Sequence, residues 1–136
     1  MRGRSSDGIP TPLSDDLEEL VRKTIGCCLA VHRELGPGLL EVIYSKAIAK
    51  ELAAAGIAYE REKKYSVMYR GEHLCDQWLD FVVAEQLVLE VKSVEHLVPI
   101  HHSQLLNYMH LAGLRVGLLI NFNVVVLKDG IRRKVL

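Results

Sequence analysis

Within residues 78–94, the ionisable side chains Asp80, Glu90 and Lys92 lie in segments that are otherwise apolar and rich in β-forming residues. Leu79, Phe81 and Val83 alternate with Asp80 and Val82 before a three-residue turn, and apolar residues resume after it. This pattern predicts two short strands. Glu90 and Lys92 are two residues apart and so share one face of the second strand. A turn centred on Glu85 pairs Asp80 with Glu90, which sets their Cβ atoms about 4.5–5.5 Å apart.

Two carboxylates this close repel each other, and in a half-buried setting a shared proton or a bound cation must relieve the repulsion. A divalent metal is the simpler relief, because oxygen ligands suit Mg²⁺ or Mn²⁺, which also keep room for a phosphate and a water. Lys92 could orient that water or neutralise charge in the transition state. The alternative is that Asp80, Glu90 and Lys92 form a solvated face or a structural ion-pair network.

The spacing of these residues resembles a known signature. Asp80 followed by Glu90-Val91-Lys92 is similar to the acidic residue plus E-x-K of the PD-(D/E)XK nuclease superfamily. Leu79 stands where the superfamily's name has proline, a residue that is often absent there. This signature alone is short, so two further motifs carry the resemblance.

The segment Gly38-Leu39-Leu40-Glu41-Val42-Ile43-Tyr44 matches G-x-x-E-x-x-Y, which names a family of small proteins assigned to the same superfamily. Gln104 and Tyr108 match the Q-x-x-x-Y of its RecB-like branch. The three motifs follow one another in the expected order. The resemblance runs from about Leu17 to the C-terminus.

The resemblance implies a metal-dependent phosphodiesterase that hydrolyses nucleic acid, with DNA as the expected substrate and a 5′-phosphate as the product. Asp80 and Glu90 would bind Mg²⁺ or Mn²⁺, with the backbone carbonyl of Val91 as a further ligand. Lys92 would help to activate water, and Glu41, from the first core helix, would support the metal site directly or through water. The runner-up function is a non-catalytic module on the same fold that binds nucleic acid or a partner protein.

Two tyrosines and a glutamine are candidate substrate-binding residues. Gln104 and Tyr108 are four apart, so they share one helix face and could hold a DNA strand or place the attacking water. Without the resemblance, they would be a polar helix flank. The Tyr44 hydroxyl either fixes the Glu41 carboxylate or is satisfied at the edge of the core.

Composition limits the other possibilities. The chain has 136 residues, 49% of them hydrophobic, and a formal net charge of zero. A neutral net charge does not by itself indicate nucleic-acid binding. Basic residues do cluster locally, either as phosphate-facing edges or as solvated strand ends. The two clusters are Arg61, Lys63, Lys64 and Arg70, and Arg132, Arg133 and Lys134.

No apolar run reaches the roughly 18 residues of a membrane span, and no signal-peptide core is present, so we expect a cytoplasmic protein without membrane contact. Cys27, Cys28 and Cys75 have neither a disulfide nor a zinc spacing and are interpreted as core thiols. A chain this small is expected to act as a homodimer to cover its substrate. Trp78 is interpreted as packing beside the strand core rather than stacking on a base.

The predicted element order is α-α-β-β-β-α-β-β, an α/β fold in which a mixed β-sheet is flanked by helices. It agrees with the restriction-endonuclease-like PD-(D/E)XK core that the resemblance implies. Residues 1–13 are predicted to be a flexible tail and residues 14–136 a single domain. The predicted helices run from Ser14 to Gly36, from Gly38 to Gly56 and from Pro99 to Gly113. The strand that contains Asp80 is predicted to begin after Gly71 and to include Cys75 and Trp78. Residues 58–70 are predicted to be a strand or a strand pair, and the remaining predicted strands are 115–119, 124–127 and, after a turn at Asp129-Gly130, 131–136.

Overall fold

The computed structural model describes residues 11–136. Its helices are α1 (Asp15–Leu35), α2 (Glu41–Ala54) and α3 (Pro99–Ala112). Its strands are β1 (Tyr59–Tyr69), β2 (Glu72–Val83), β3 (Leu87–Lys92), β4 (Val116–Asn121) and β5 (Ile131–Val135). The order α-α-β-β-β-α-β-β is the one predicted, and the α/β fold class is confirmed. The predicted tail falls largely on residues 1–10, outside the described residues.

The five strands form one mixed sheet in the order β1-β2-β3-β4-β5. Only β3 and β4 are parallel, and α3 forms the crossover between them. Helices α1 and α2 cover one face, where the core includes Phe81, Leu89 and Ile120. Helix α3 covers the other face through Leu105 and Met109. We call these the α1/α2 face and the α3 face.

The ends of α1 and α3 follow the signals in the sequence, whereas α2 begins at Glu41, three residues after its predicted start at Gly38. The Ser14 hydroxyl accepts a hydrogen bond from the backbone N–H of Leu17 and so caps the start of α1. The helix ends before Gly36, whose φ angle of 67° suits a glycine. Pro99 opens α3 and Gly113 closes it. None of the described helices is long and apolar enough to cross a membrane.

The turn between β2 and β3 has the predicted length and sets the predicted register, with Phe81 opposite Leu89 and Val83 opposite Leu87. Ala84 and Glu85 both adopt positive φ angles, 51° and 57°, which turns the chain within three residues. The register prediction on which the placement of Asp80 and Glu90 rests is therefore confirmed.

The predicted strand at residues 124–127 is wrong. Val125 and Val126 are 88% and 55% exposed in a loop, and Leu127 begins a short 3-10 helix, Leu127–Gly130, that buries its side chain. The predicted hairpin turn at Asp129-Gly130 belongs to this 3-10 helix. The apolar run suggested a strand, but β5 already occupies the edge beside β4.

Two packing predictions also need correction. Cys27 and Cys28 are buried, but Cys75 is exposed because it lies on the outer half of β2, beyond both cores. Trp78 is 53% exposed and does not pack beside the strand core as predicted. Both residues lie on the part of β2 that pairs with β1 alone.

Gly130 is required for the return of the chain to the sheet. An added Cβ atom at Gly130 would overlap the backbone carbonyl oxygen of Asn121, the last residue of β4. We expect Gly130→Ala to lower the free energy of unfolding by about 1–3 kcal/mol, because backbone cannot move aside as a flexible side chain can. Urea denaturation measures this change.

The control is Gly26→Ala in α1, where nothing lies within 4 Å of the added Cβ atom. Alanine should raise the stability of this helix by about 0.5–1 kcal/mol. Equal effects of the two substitutions would contradict the account of Gly130.

Candidate functional site

The strands β2 and β3 separate at Asp80 and Glu90. Their backbone pairing stops at Phe81 and Leu89, one residue short of this pair. Beyond that point, the backbone N–H of Asp80 donates to Glu90 Oε1 at 3.1 Å, and the N–H of Val91 donates to Asp80 Oδ2 at 2.8 Å. Each carboxyl group thus replaces a carbonyl of the missing ladder, which holds the two acids against each other at the fork.

Strand β1 is also irregular beside Asp80. Arg61 pairs with Phe81 and Lys63 pairs with Leu79, but the intervening pair of Glu62 and Asp80 is absent, and Glu62 has a φ of 54°. Strict alternation along β2 is broken here, because Leu79 packs in the same core on the α3 face as Val82, three residues later. Asp80 is therefore released from both neighbouring ladders, and its contacts with β3 set its position.

Burial and charge act together on Glu90, which is only 4% exposed. Burial first, and the neighbouring charge of Asp80 second, raise the pKa of Glu90 to about 8, while the N–H of Asp80 and the charge of Lys92 oppose the shift. Near neutral pH the pair therefore retains a proton. A cation bound at the pair would remove the need for that proton.

Helix α3 brings two polar side chains to the carboxyl pair. Lys92 Nζ donates to Gln104 Oε1 at 3.3 Å. The pKa of Tyr108 is raised, first by burial and then by the charges of Glu90 and Asp80, so its hydroxyl stays protonated near the two acids. The structure thus gathers Asp80, Glu90, Lys92, Gln104 and Tyr108 on the α3 face.

Glu41 and Tyr44 lie apart from this group. The fully buried Tyr44 hydroxyl donates to the Gly36 carbonyl at 2.6 Å and accepts from the Leu39 N–H at 3.1 Å. Of the two predicted roles of Tyr44, this is the structural one at the edge of the core. The buried hydroxyl is not accessible to a substrate. Glu41 is exposed at the start of α2, and within residues 11–136 no three His, Cys, Asp or Glu side chains are grouped to hold a metal ion.

Glu41 is nevertheless tied to the neighbourhood of β3. Ser93, the residue after Lys92, donates its hydroxyl to the Leu39 carbonyl at 2.6 Å. This bond fastens the start of α2 beside the end of β3. The supporting role of Glu41 stays a prediction.

Two positioning residues had not been identified from the sequence. Gln77 Nε2 donates to the Tyr108 hydroxyl at 3.2 Å and so connects β2 to α3. The buried Asn121 side chain donates to the Val94 carbonyl at 2.9 Å and accepts from the Val94 N–H at 3.0 Å, which holds the chain just beyond Lys92. A polar residue that ends the apolar run of β4 was a usable signal for Asn121, whereas nothing in the sequence marks Gln77.

A groove of about 570 Å³ opens beside the carboxyl pair, between α3 and the outer half of the β1–β2 hairpin. Its lining residues are Val67, Gln77, Asn107, Tyr108, His110 and Leu111. Gln77 and Tyr108, which are joined by a hydrogen bond, both line this groove, and Tyr108 also lies close to Glu90 and Asp80.

Comparison with known proteins gives one match. The family model described as the PD-(D/E)XK nuclease superfamily matches residues 18–134, nearly the whole chain. No curated protein and no solved structure matches the chain. The match begins within α1 and ends within β5, and therefore includes every residue of the site.

The raised pKa of Glu90 predicts how stability depends on pH. The folded protein binds this proton more tightly than the unfolded chain, whose glutamate has the ordinary value of 4.5. The contribution of this proton to the free energy of unfolding is therefore complete below about pH 4.5 and is lost as the pH rises towards about 8. The Glu90→Gln side chain is an amide and cannot ionise. In EDTA this variant should therefore be more stable than the wild type at about pH 9 by a few kcal/mol, and equal to it at about pH 4. Urea denaturation at both pH values measures the difference.

Glu95→Gln is the matched control, because the Glu95 side chain is 92% exposed. This variant should follow the wild type at both pH values. A Glu90→Gln variant whose stability parallels that of the wild type across the range would show that Glu90 ionises normally.

Proposed function

The chain belongs to the PD-(D/E)XK nuclease superfamily, and we propose that it is a metal-dependent phosphodiesterase that hydrolyses DNA. The observation that carries the proposal is the reciprocal pairing of Asp80 and Glu90 at the strand fork, with Lys92 on the same face. Within the superfamily we assign the chain to the G-x-x-E-x-x-Y family, on the basis of Gly38, Glu41 and Tyr44.

The residues at the fork fit a divalent cation. Each carboxyl group uses one oxygen to accept a hydrogen bond from a backbone N–H, which orients the group. The second oxygen of each group is the one that would bind the ion. The pair is strained by burial and mutual repulsion, and hard oxygen ligands of this kind suit Mg²⁺ or Mn²⁺. We propose Asp80 and Glu90 as ligands, with the Val91 carbonyl as a third. Such an ion, when bound, would stabilise negative charge on the phosphate and lower the pKa of a bound water.

The remaining steps fall to the side chains of this chain. The bond to Gln104 holds Lys92 on the α3 face, with ammonium protons left to orient water or to stabilise charge on the reacting phosphate. Water attacks phosphorus in line with the leaving oxygen. As the water oxygen bonds to phosphorus it releases a proton to solvent, and the bond to the leaving oxygen breaks. The leaving oxygen takes a proton from solvent and departs as a 3′-hydroxyl, which leaves a 5′-phosphate. Gln104 and Tyr108 hold the flanking substrate, and Tyr108 is held in turn by Gln77.

A second candidate function is a non-catalytic binding module on the same fold. The observation that favours it is the exposed position of Glu41, which does not join the carboxyl pair. DNA binding in Mn²⁺ without cleavage would support this second function. Cleavage that requires metal supports the first.

We also propose that the protein acts in the cytoplasm as a homodimer. All three cysteines are free thiols, as expected for a reducing compartment. A second copy would extend the surface available to a substrate. A monomeric mass in light scattering at micromolar concentration would contradict the dimer.

Removal of the lysine tests catalysis. We expect wild-type protein to cleave labelled single- or double-stranded DNA in Mg²⁺ or Mn²⁺ but not in EDTA, and Lys92→Ala to lower the rate by about 10²–10⁴-fold. Lys128→Ala, which removes an exposed lysine from the 3-10 helix, should keep full activity. Metal-dependent cleavage by Lys92→Ala at the wild-type rate would contradict the role of Lys92.

Calorimetric titration separates a metal site from a purely structural network. Wild-type protein and Glu90→Gln should differ, because the amide cannot supply the second anionic ligand: the wild type binds Mn²⁺ and the variant binds it at least about 10-fold more weakly. Glu95→Gln should bind as the wild type does. Absence of Mn²⁺ and Mg²⁺ binding in the wild type would indicate that Asp80, Glu90 and Lys92 form only a structural network.

A further inference from the structure

Three basic side chains lie together on the α3 face, at the edge of the sheet away from the hairpin. Along β5, Arg132 and Lys134 alternate with Ile131, Arg133 and Val135. Leu136 packs in the core beneath α3, whereas Ile131 and Val135 pack against the core beneath α1 and α2. Arg132 and Lys134 therefore point to the α3 face. His102, in the first half of α3, is the third member, and we call Arg132, Lys134 and His102 the basic surface.

The sheet register connects this surface to the carboxyl pair. Glu90 lies beside Leu119 on β4, and Leu119 lies opposite Arg132 on β5. These residues thus form one row across the sheet, and Arg132 is two strands from Glu90, about 10 Å at the usual strand spacing. Lys134 stands in the parallel row that contains Val88 and Gly117.

The positive charge of the basic surface is not neutralised within the described residues. Arg132 Nη1 donates to the carbonyls of Asp129 and Ile131 at 2.9 Å, which orients the guanidinium without pairing it to an acid. Within residues 11–136, no carboxylate lies at ion-pair distance from Arg132 or Lys134. Burial, and then the charges of Lys134 and Arg132, lower the pKa of His102, so this imidazole stays neutral near pH 7 beside the two cations.

The opposite side of the same strand shows a contrast. Arg133 points to the α1/α2 face, where it forms a two-pronged ion pair with Glu18 of α1, at 2.6 and 2.8 Å. Thus Arg133 has an acidic partner within the protein, whereas the guanidinium of its neighbour Arg132 is oriented by backbone carbonyls alone. Like charges gathered without an internal partner favour an anionic ligand.

We propose that the basic surface binds backbone phosphates of the nucleic acid whose scissile phosphate lies at Asp80 and Glu90. This inference rests on the proposed function and extends it, because it assigns the substrate-binding role to β5, on the far side of α3 from the groove. A separation of about 10 Å equals roughly three nucleotides along a duplex strand. Arg132 and Lys134 therefore contact phosphates outside the cleaved linkage and contribute affinity rather than chemistry.

The test compares two variants that each remove two positive charges. Arg132→Ala/Lys134→Ala removes the basic surface. Arg133→Ala/Lys23→Ala removes one residue from the opposite side of β5 and one exposed lysine from α1. Binding of a labelled 20-nucleotide duplex and of its single strand is measured by fluorescence anisotropy in EDTA, over a series of salt concentrations.

We expect the first variant to weaken binding by at least about 10-fold at low salt and to reduce the slope of log K against log salt by about 1–2, because two phosphate contacts are lost. The control variant should keep the wild-type slope. Unchanged slopes in both variants, or equal losses in both, would overturn the role of the basic surface.

A small phosphodiester such as bis(p-nitrophenyl) phosphate separates this inference from the proposed function, because it has no flanking phosphates. The first variant should hydrolyse it in Mn²⁺ at the wild-type rate while its KM for the duplex rises. A loss of small-substrate hydrolysis in that variant would overturn the inference, since the residues would then act in the chemistry. If the wild type binds DNA with the predicted slopes but cleaves nothing, the nuclease proposal fails and the basic surface stands.

Discussion

The placement of two acids at the fork between β2 and β3 is the constraint on which the rest of the site depends. Glu90 is buried beside Asp80, and burial of a carboxyl group next to another is unfavourable unless its oxygens are satisfied. The fork resolves this locally, because it frees two backbone N–H groups for the two acids to accept. The sheet gives up ladder bonds at this point and obtains a pair of oriented carboxyl groups in return.

Helix α3 completes the site because it can lie close to the sheet. Gly117 on β4 leaves room for it, since a Cβ atom there would stand 2.7 Å from Met109 Sδ and 2.9 Å from Leu105 Cδ1. The helix is the crossover between the parallel strands β3 and β4, so its start must lie near the end of β3. That connection brings Gln104 to Lys92, while the opposite contact, from Gln77 to Tyr108, ties the same helix to β2.

The two faces of the sheet differ in charge, and the net charge of the whole chain does not reveal this difference. The formal net charge is zero, which by itself argues against a nucleic-acid partner. The fold separates the charges: within residues 11–136, Arg133 is neutralised by Glu18 on one face, whereas Arg132 and Lys134 have no acidic partner on the other. A strand alternates its side chains between faces, so three consecutive basic-cluster positions acquire two different environments.

Local signals in the sequence were sufficient for most of the elements and for the central pair. Ser14, Pro99 and Gly113 mark helix ends because they act on the adjacent backbone, and the three-residue turn at Glu85 sets the pairing of β2 with β3. The facing of Asp80 and Glu90 follows from that turn alone. An apolar run such as Val124 to Leu127 carries no comparable information, because it fits a strand or a loop equally well until its neighbours in space are known.

Interactions between distant parts of the chain determined the remaining features. The Gln77–Tyr108 bond and the Asn121 bridge to Val94 join residues far apart in sequence, so no local pattern indicates them. Tyr44 shows the difference most directly, since its motif suggested a role at the site but packing turned its hydroxyl to the loop that precedes α2. Side-chain type and spacing determine which groups can do chemistry, whereas burial and the choice of hydrogen-bond partner, which are properties of the packed chain, determine which of them meet.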